Sequence, residues 1–257
     1  MTPPSDVLAV IAEQKPKFQL LSGVDSLPSS ENHFFAHGAA DTSHLSRASH
    51  EVEHPTAVYL LGLLQPDFHT LEIGGGVSTV IFASRVAHHT CVNPDRTANK
   101  LIAEFLARNA WNVDGIAFVA ECSDRALPAL RLAQKLDVVL IDGNHSFPFP
   151  QIDWHYVDPW IKEGGRLFVD NVSINAVRML CDFLLSDPCY RFVIKVGDCM
   201  VFERTAATRR LGWADQEINR RNYVGYRAIE PVDFMLTKTK ATLRTPVKWL
   251  RGLTRRR

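Results

Sequence analysis

The sequence predicts a doubly wound α/β fold: a mostly parallel seven-stranded sheet that ends in an antiparallel hairpin. Three observations carry this expectation. Short apolar runs alternate with amphipathic stretches from about residue 70 to residue 204, which argues for parallel strands with helices on both faces. The first run, residues 70–73, leads into Gly74-Gly75-Gly76 and then into a helical stretch at 78–87, the strand, tight turn and helix that frame a ligand in such folds. The last two runs are joined only by Gly197-Asp198, a two-residue hairpin signal.

The elements follow in order. Residues 7–12 carry a short helical pattern, and residues 57–64 read as a helix that leads to the first strand. Strands are expected at 70–73, 90–93, 116–120, 137–142, 166–170, 191–196 and 199–203, with helices at 78–87, 96–109, 124–134, 151–162 and 174–186. The chain then divides into an N-terminal segment, 1–56, a central α/β domain, 57–204, and an extension, 205–257.

Composition sets bounds on function. At 257 residues and 46% hydrophobic content, the chain suits one α/β domain with attachments. No apolar stretch reaches the length of a membrane span, and the first residues show no basic and apolar leader pattern. The five cysteines are scattered without a C-x-x-C pair, which fits reduced thiols and a cytoplasmic setting. Charge is uneven: from Phe234 to Arg257 there are eight basic residues and no acid.

The glycine loop has its own chemistry. Glycines let backbone approach a ligand closely, because no Cβ intervenes. A dinucleotide fingerprint read from Gly74 would need glycine where Thr79 stands. Glu72 sits inside the strand just before the loop, where a carboxylate repels a pyrophosphate but accepts hydrogen bonds from an ammonium group. The stretch from Leu71 to Thr79 resembles motif I of the class I S-adenosylmethionine-dependent methyltransferases, and residues 70–204 match that Rossmann-like family in order and spacing. The resemblance implies S-adenosylmethionine as cofactor, held by Glu72, Gly74, Gly75, Gly76 and Ser78. It also implies an acid for the ribose at the end of the second strand, where Asn93 stands with Asp95 two residues on; Asp95 reads equally well as a helix N-cap. Ser123 is the candidate beside adenine.

The fourth strand ends in Asp142-Gly143-Asn144-His145 and the fifth in Asp170-Asn171. Neighbouring parallel strands lie ~4.8 Å apart, so Asp142, Asp170 and Asn171 are expected to converge at one rim. Two close carboxylates repel unless a proton or cation joins them, and two carboxylates with an amide suit Mg²⁺ or a similar divalent cation. The pattern resembles the metal triad of the catechol and caffeoyl-CoA type O-methyltransferases. His145 stands three residues after the first ligand, at the place of the catalytic base, and with Asp142 makes the expected catalytic pair; a neutral imidazole is a competent base near pH 7. Read instead as the N-cap of the helix that begins near Ile174, Asp170 or Asn171 would need no metal. Asp-Gly-x-His followed by Asp153 and Trp154 also resembles small-molecule and sugar methyltransferases with a metal-adjacent His.

The resemblance implies methyl transfer to a hydroxyl of a small-molecule or sugar acceptor. The alternatives are a methyltransferase-fold binding module without activity and, less favoured by Glu72 and Thr79, a nicotinamide-dependent oxidoreductase. Residues 50–54, His-Glu-Val-Glu-His, match a zinc protease motif, but Pro55 is expected to break the helix that motif needs. Residues 1–56 are expected to shape the substrate site as a lid. The basic, Trp- and Leu-bearing run at 234–257 suits an anionic membrane surface at the inner face, with a second subunit as its other partner and a homo-oligomer as the result. No nucleic acid is expected, since no aromatic platform accompanies the basic run.

Overall fold

The structure is a computed structural model that describes residues 4–16, 18, 52–205, 212 and 216–220. The chain divides into two compact units, 1–210 and 211–257. In the second, the described residues include one 3₁₀ turn, Glu217–Arg220. The first holds α1 (Pro4–Gln14), α2 (His54–Leu63) and then an alternation of strands and helices that ends in a hairpin. It runs β1 (His69–Ile73), α3 (Val77–Ala83), β2 (His88–Val92), α4 (Arg96–Arg108), β3 (Ile116–Val119) and α5 (Ser123–Ala129). It continues with β4 (Leu136–Ile141), α6 (Phe149–Val157), a 3₁₀ turn at Asp158–Trp160, β5 (Ile161–Val169), α7 (Asn175–Leu184), β6 (Tyr190–Val196) and β7 (Cys199–Arg204).

All seven expected strands form one sheet in the order β3-β2-β1-β4-β5-β7-β6. The first five are parallel, and β7 enters antiparallel between β5 and β6. The sheet's middle is apolar because both faces are covered. In β4 every residue is buried. Alternation sends Val138 and Leu140 to one core, with α1 to α4, and Val139 and Ile141 to the other, with α5 to α7. α7 shows how the helices dock: Val177, Leu180, Cys181 and Leu184 recur at helical spacing and are its buried residues. Each such Leu contributes roughly 1.5–3 kcal/mol by burial.

Proline and glycine shift several boundaries from the expected ones. Pro128 near its end accompanies the closure of α5 at Ala129, with Leu130 extended, where a helix to residue 134 is expected. Pro159 converts the end of α6 to a 3₁₀ turn. β5 starts at Ile161, not residue 166, because Gly164, at φ +77°, allows an irregular register between Leu136 and Val138. Pro55 does not prevent helix: it lies in the first turn of α2, where the missing N–H costs nothing, and His54 opens that helix. His50 and Glu51 of the zinc-protease pattern, like most of the expected lid, lie outside the described residues.

Two polar ties close the domain. Arg204 and Asp158 are both buried, with Nη1 and Oδ1 3.1 Å apart, and the Tyr190 hydroxyl donates to Asp158 at 2.6 Å. The hairpin turn grips the start of α2 as well: the Asp198 N–H donates to Glu53 at 3.1 Å and the Thr56 hydroxyl to the Val196 carbonyl at 2.9 Å. Asp198 also accepts the Ser173 hydroxyl at 2.6 Å, so the β6–β7 turn stands at the rim where β5 ends.

Candidate active site

A cavity of about 650 Å³ opens at the carboxyl ends of β1, β2 and β4. From β1 the chain crosses to β2 on one side, while β4 lies on the other, so the cavity occupies a topological switch point. Its size is that of a small-molecule site.

One wall is the glycine loop. Gly74 has φ +90°, and a Cβ there would run into the Asp142 carbonyl, so this turn takes only glycine. A Cβ on Gly75 would come 2.8 Å from Asn93 Nδ2. Gly74, Gly75, Gly76, Ser78, Asn93 and Ser123 all line the cavity. Asn93 is committed to its own loop: its Nδ2 donates to Asn99 at 2.8 Å and its Oδ1 accepts the Asp95 N–H at 3.3 Å.

Two expected cofactor residues stand elsewhere. Asp95 does not line the cavity; it caps α4, accepting the Thr97 and Ala98 N–H groups at 2.9 Å each. The alternation of β1 turns Glu72 into the protein, fully buried beneath the loop, where Thr79 and His89 bond to it. The sheet neighbour that receives it, His89, was not legible as a site residue, because strand register is invisible in one sequence.

The opposite wall carries Asp142, Gly143, Asn144 and His145. His145 Nε2 lies 3.3 Å from Asp142 Oδ1, and its side chain is 29% exposed. Asp142 therefore holds the imidazole while leaving one edge open to the cavity. Asp170 follows β5, beside β4, as expected, and is buried without lining the cavity. Its Oδ1 has no partner among the described residues, and burial, with the nearby Asp142 charge, pushes its pKa to about 7. Asn171, next to it, adopts φ +61°. Among the described residues no group of three or more His, Cys, Asp or Glu side chains is arranged to hold a metal ion.

Asp153 on α6 adds a residue whose part sequence reasoning left open. It is fully buried beneath Gly143, and neither oxygen has a partner of normal geometry among the described residues. Burial pushes its pKa to about 7, while the Ser123 hydroxyl and His145 pull it down. Phe149 and Ile174, also unanticipated, add apolar surface to the cavity.

The comparisons agree with this architecture. Residues 71–172 match the model of a family described as a methyltransferase domain. Solved structures named as methyltransferases share the fold. An O-methyltransferase from Bacillus cereus in complex with SAH is 14% identical at a TM-score of 0.53, over 79% of this chain and 90% of that one. The O-methyltransferase TomG from Streptomyces achromogenes, involved in tomaymycin synthesis and bound to SAM, is 16% identical at 0.50, over 80% and 100%. A methyltransferase from Geobacter sulfurreducens is 15% identical at 0.52, over 69% and 97%. No curated protein matches the chain.

Proposed function

We propose that this protein transfers the methyl group of S-adenosylmethionine to a hydroxyl oxygen of a small-molecule or sugar acceptor. The observation that carries the reading is the His145–Asp142 pair at 3.3 Å on the wall opposite the glycine loop. Gly74–Gly76, Asn93 and Ser123 would hold the cofactor, which would supply an electrophilic methyl group to an acceptor on the His145 wall. The acceptor hydroxyl hydrogen-bonds to His145, which takes its proton as the oxygen attacks the methyl carbon in line. The C–O bond forms as the S–C bond breaks, and the electron pair leaves on sulfur. The Asp142 carboxylate stabilises the imidazolium that results. Two of the similar solved structures are named O-methyltransferases and hold SAM or SAH, which supports the reading.

A divalent cation belongs to the same proposal. The unpartnered, buried Asp170 Oδ1 beside the Asp142 charge suits an ion, with Asn171 as the neutral donor. When bound, such an ion would lower the pKa of the acceptor hydroxyl.

The test is calorimetry with S-adenosylmethionine and NAD, followed by methyl transfer to a panel of phenols and sugars with and without chelator. Binding of S-adenosylmethionine, with turnover abolished by chelator and restored by Mg²⁺, is expected. Binding of NAD alone would overturn the reading, and full turnover in excess chelator would remove the cation from it. The tail at 234–257 lies outside the described residues, and its membrane role remains a proposal from sequence; among the described residues no helix is long and apolar enough to cross a membrane.

A further inference from the structure

Beneath the glycine loop lies a second polar layer that does not line the cavity. Thr70 on β1 stands opposite His89 on β2 in the sheet register, with Thr70 Oγ1 2.8 Å from His89 Nδ1. His89 Nε2 is 3.1 Å from Glu72 Oε1. The Thr79 hydroxyl donates to the same Glu72 oxygen and accepts the Gly76 N–H at 3.1 Å. The His89 ring lies flat on Phe82, with centroids 4.4 Å apart at 13°. Thr70, Glu72, Thr79 and His89 are all buried.

Counting protons gives the layer a direction. The Gly76 N–H can only donate, so the Thr79 oxygen accepts it, and the single Thr79 hydrogen goes to the Glu72 carboxylate. The Cys91 thiol, 3.8 Å from Thr79, is pushed up in pKa by burial and by Glu72, stays protonated and donates as well. An imidazole nitrogen facing a carboxylate oxygen must carry hydrogen, so Nε2 is the donor to Glu72. Thr70 Oγ1 meets His89 Nδ1 at 2.8 Å and donates to the His88 carbonyl at 3.3 Å, which anchors the far edge of the ring. His89 thus donates to Glu72, Glu72 aims Thr79, and Thr79 aims the Gly76 N–H beside the cavity.

We propose that His89 is a positioning residue for the cofactor loop: by donating from Nε2 to Glu72 it orients Thr79, and through it the backbone of Gly76, for S-adenosylmethionine. This assignment rests on the cofactor reading above. It explains why an acid precedes the glycines although it does not line the cavity: the carboxylate is the hub on which the loop is set. Buried polar networks of this kind specify one geometry when their members are bonded.

The experiment measures S-adenosylmethionine affinity by calorimetry, kcat at saturating cofactor, and melting temperature for the wild type and four variants. Thr79→Val keeps the volume and removes the hydroxyl, while Thr79→Ser keeps the hydroxyl. His89→Ala removes the donor, and His89→Gln returns an N–H on a side chain of similar reach. Thr79→Val and His89→Ala are expected to weaken cofactor binding roughly tenfold to hundredfold, the effect of one unpartnered buried group. Thr79→Ser and His89→Gln recover most of that loss, and kcat at saturation changes by less than about threefold in every variant. Nitrogen shifts of the His89 ring should report hydrogen on Nε2. A wild type that binds no S-adenosylmethionine overturns the cofactor reading and this assignment with it. A wild type that binds, with all variants binding equally while only their melting temperatures fall, overturns the assignment alone and leaves His89 as packing.

Discussion

The glycine loop and the rim formed by β4 and β5 lie at the same edge of the sheet, but their polar atoms are satisfied in opposite ways. Around the loop, the Gly76 N–H, both ends of the Asn93 amide and the Asp95 carboxylate have partners within the chain, and Glu72 Oε2 is the exception. At the rim, Asp170 Oδ1 and both Asp153 oxygens have no partner of normal geometry among the described residues, and both carboxyls are pushed to about 7. A buried polar group without a partner costs about 1–3 kcal/mol. Glu72 Oε2 apart, the polar groups named at the loop are therefore satisfied by the chain itself. The rim is completed only by a proton, a cation or a substrate, and that is where chemistry is expected.

The largest effect should come from the rim. His145→Ala is expected to lower kcat by ~10²–10⁴-fold, the usual range for a lost acid/base group, with cofactor affinity unchanged by calorimetry. Normal turnover in that variant would move the base elsewhere and erase the division of labour between the two walls.

Asp153 tests the unfinished state directly. An unfolded carboxyl ionises near 3.8, this one near 7. Between those values the unfolded chain sheds its proton first, so the contribution is fully present below pH 4 and lost as pH rises to 7. At about 1.4 kcal/mol per pH unit the loss by pH 8 is roughly 4 kcal/mol. Asp153→Asn should match the wild type in urea at pH 4 and exceed it at pH 8. Parallel stability curves for the two proteins would show that the carboxyl has a partner after all.

Gly74→Ala sharpens the other side. A side chain at φ +90° costs ~1–2 kcal/mol in backbone strain alone, and its collision with the Asp142 carbonyl adds to this. A lowered melting temperature together with lost cofactor binding is expected; an unchanged melting temperature would mean that the loop is softer than its geometry implies.

The smallest effect is reserved for Asp95. Asp95→Ala should cost ~1 kcal/mol as a lost cap and leave cofactor affinity within about twofold. A tenfold loss in affinity would return Asp95 to the cofactor's ribose.

Much of this was legible in the chain itself. Apolar runs, their alternation with amphipathic helices and the Gly197-Asp198 turn determined the seven strands and the antiparallel pair, because periodicity and turn chemistry are local properties. Position along the strands likewise placed the glycine loop, Asp142 and His145 on one cavity, since parallel strands end at a common rim. Which way a side chain at a strand end turns, and what meets it, is not local. Glu72 reads as a ligand group by its place before the glycines, yet the pleat of β1 buries it against His89, a partner chosen by register. Asp95 reads equally as ribose ligand or cap, and the chain's path after Pro94 made it the cap. Asp153 became a buried carboxyl beneath Gly143 only when α6 packed against β4. Contacts between residues far apart in sequence decide these roles, because each depends on the relative placement of two elements, and only the packed core sets that placement.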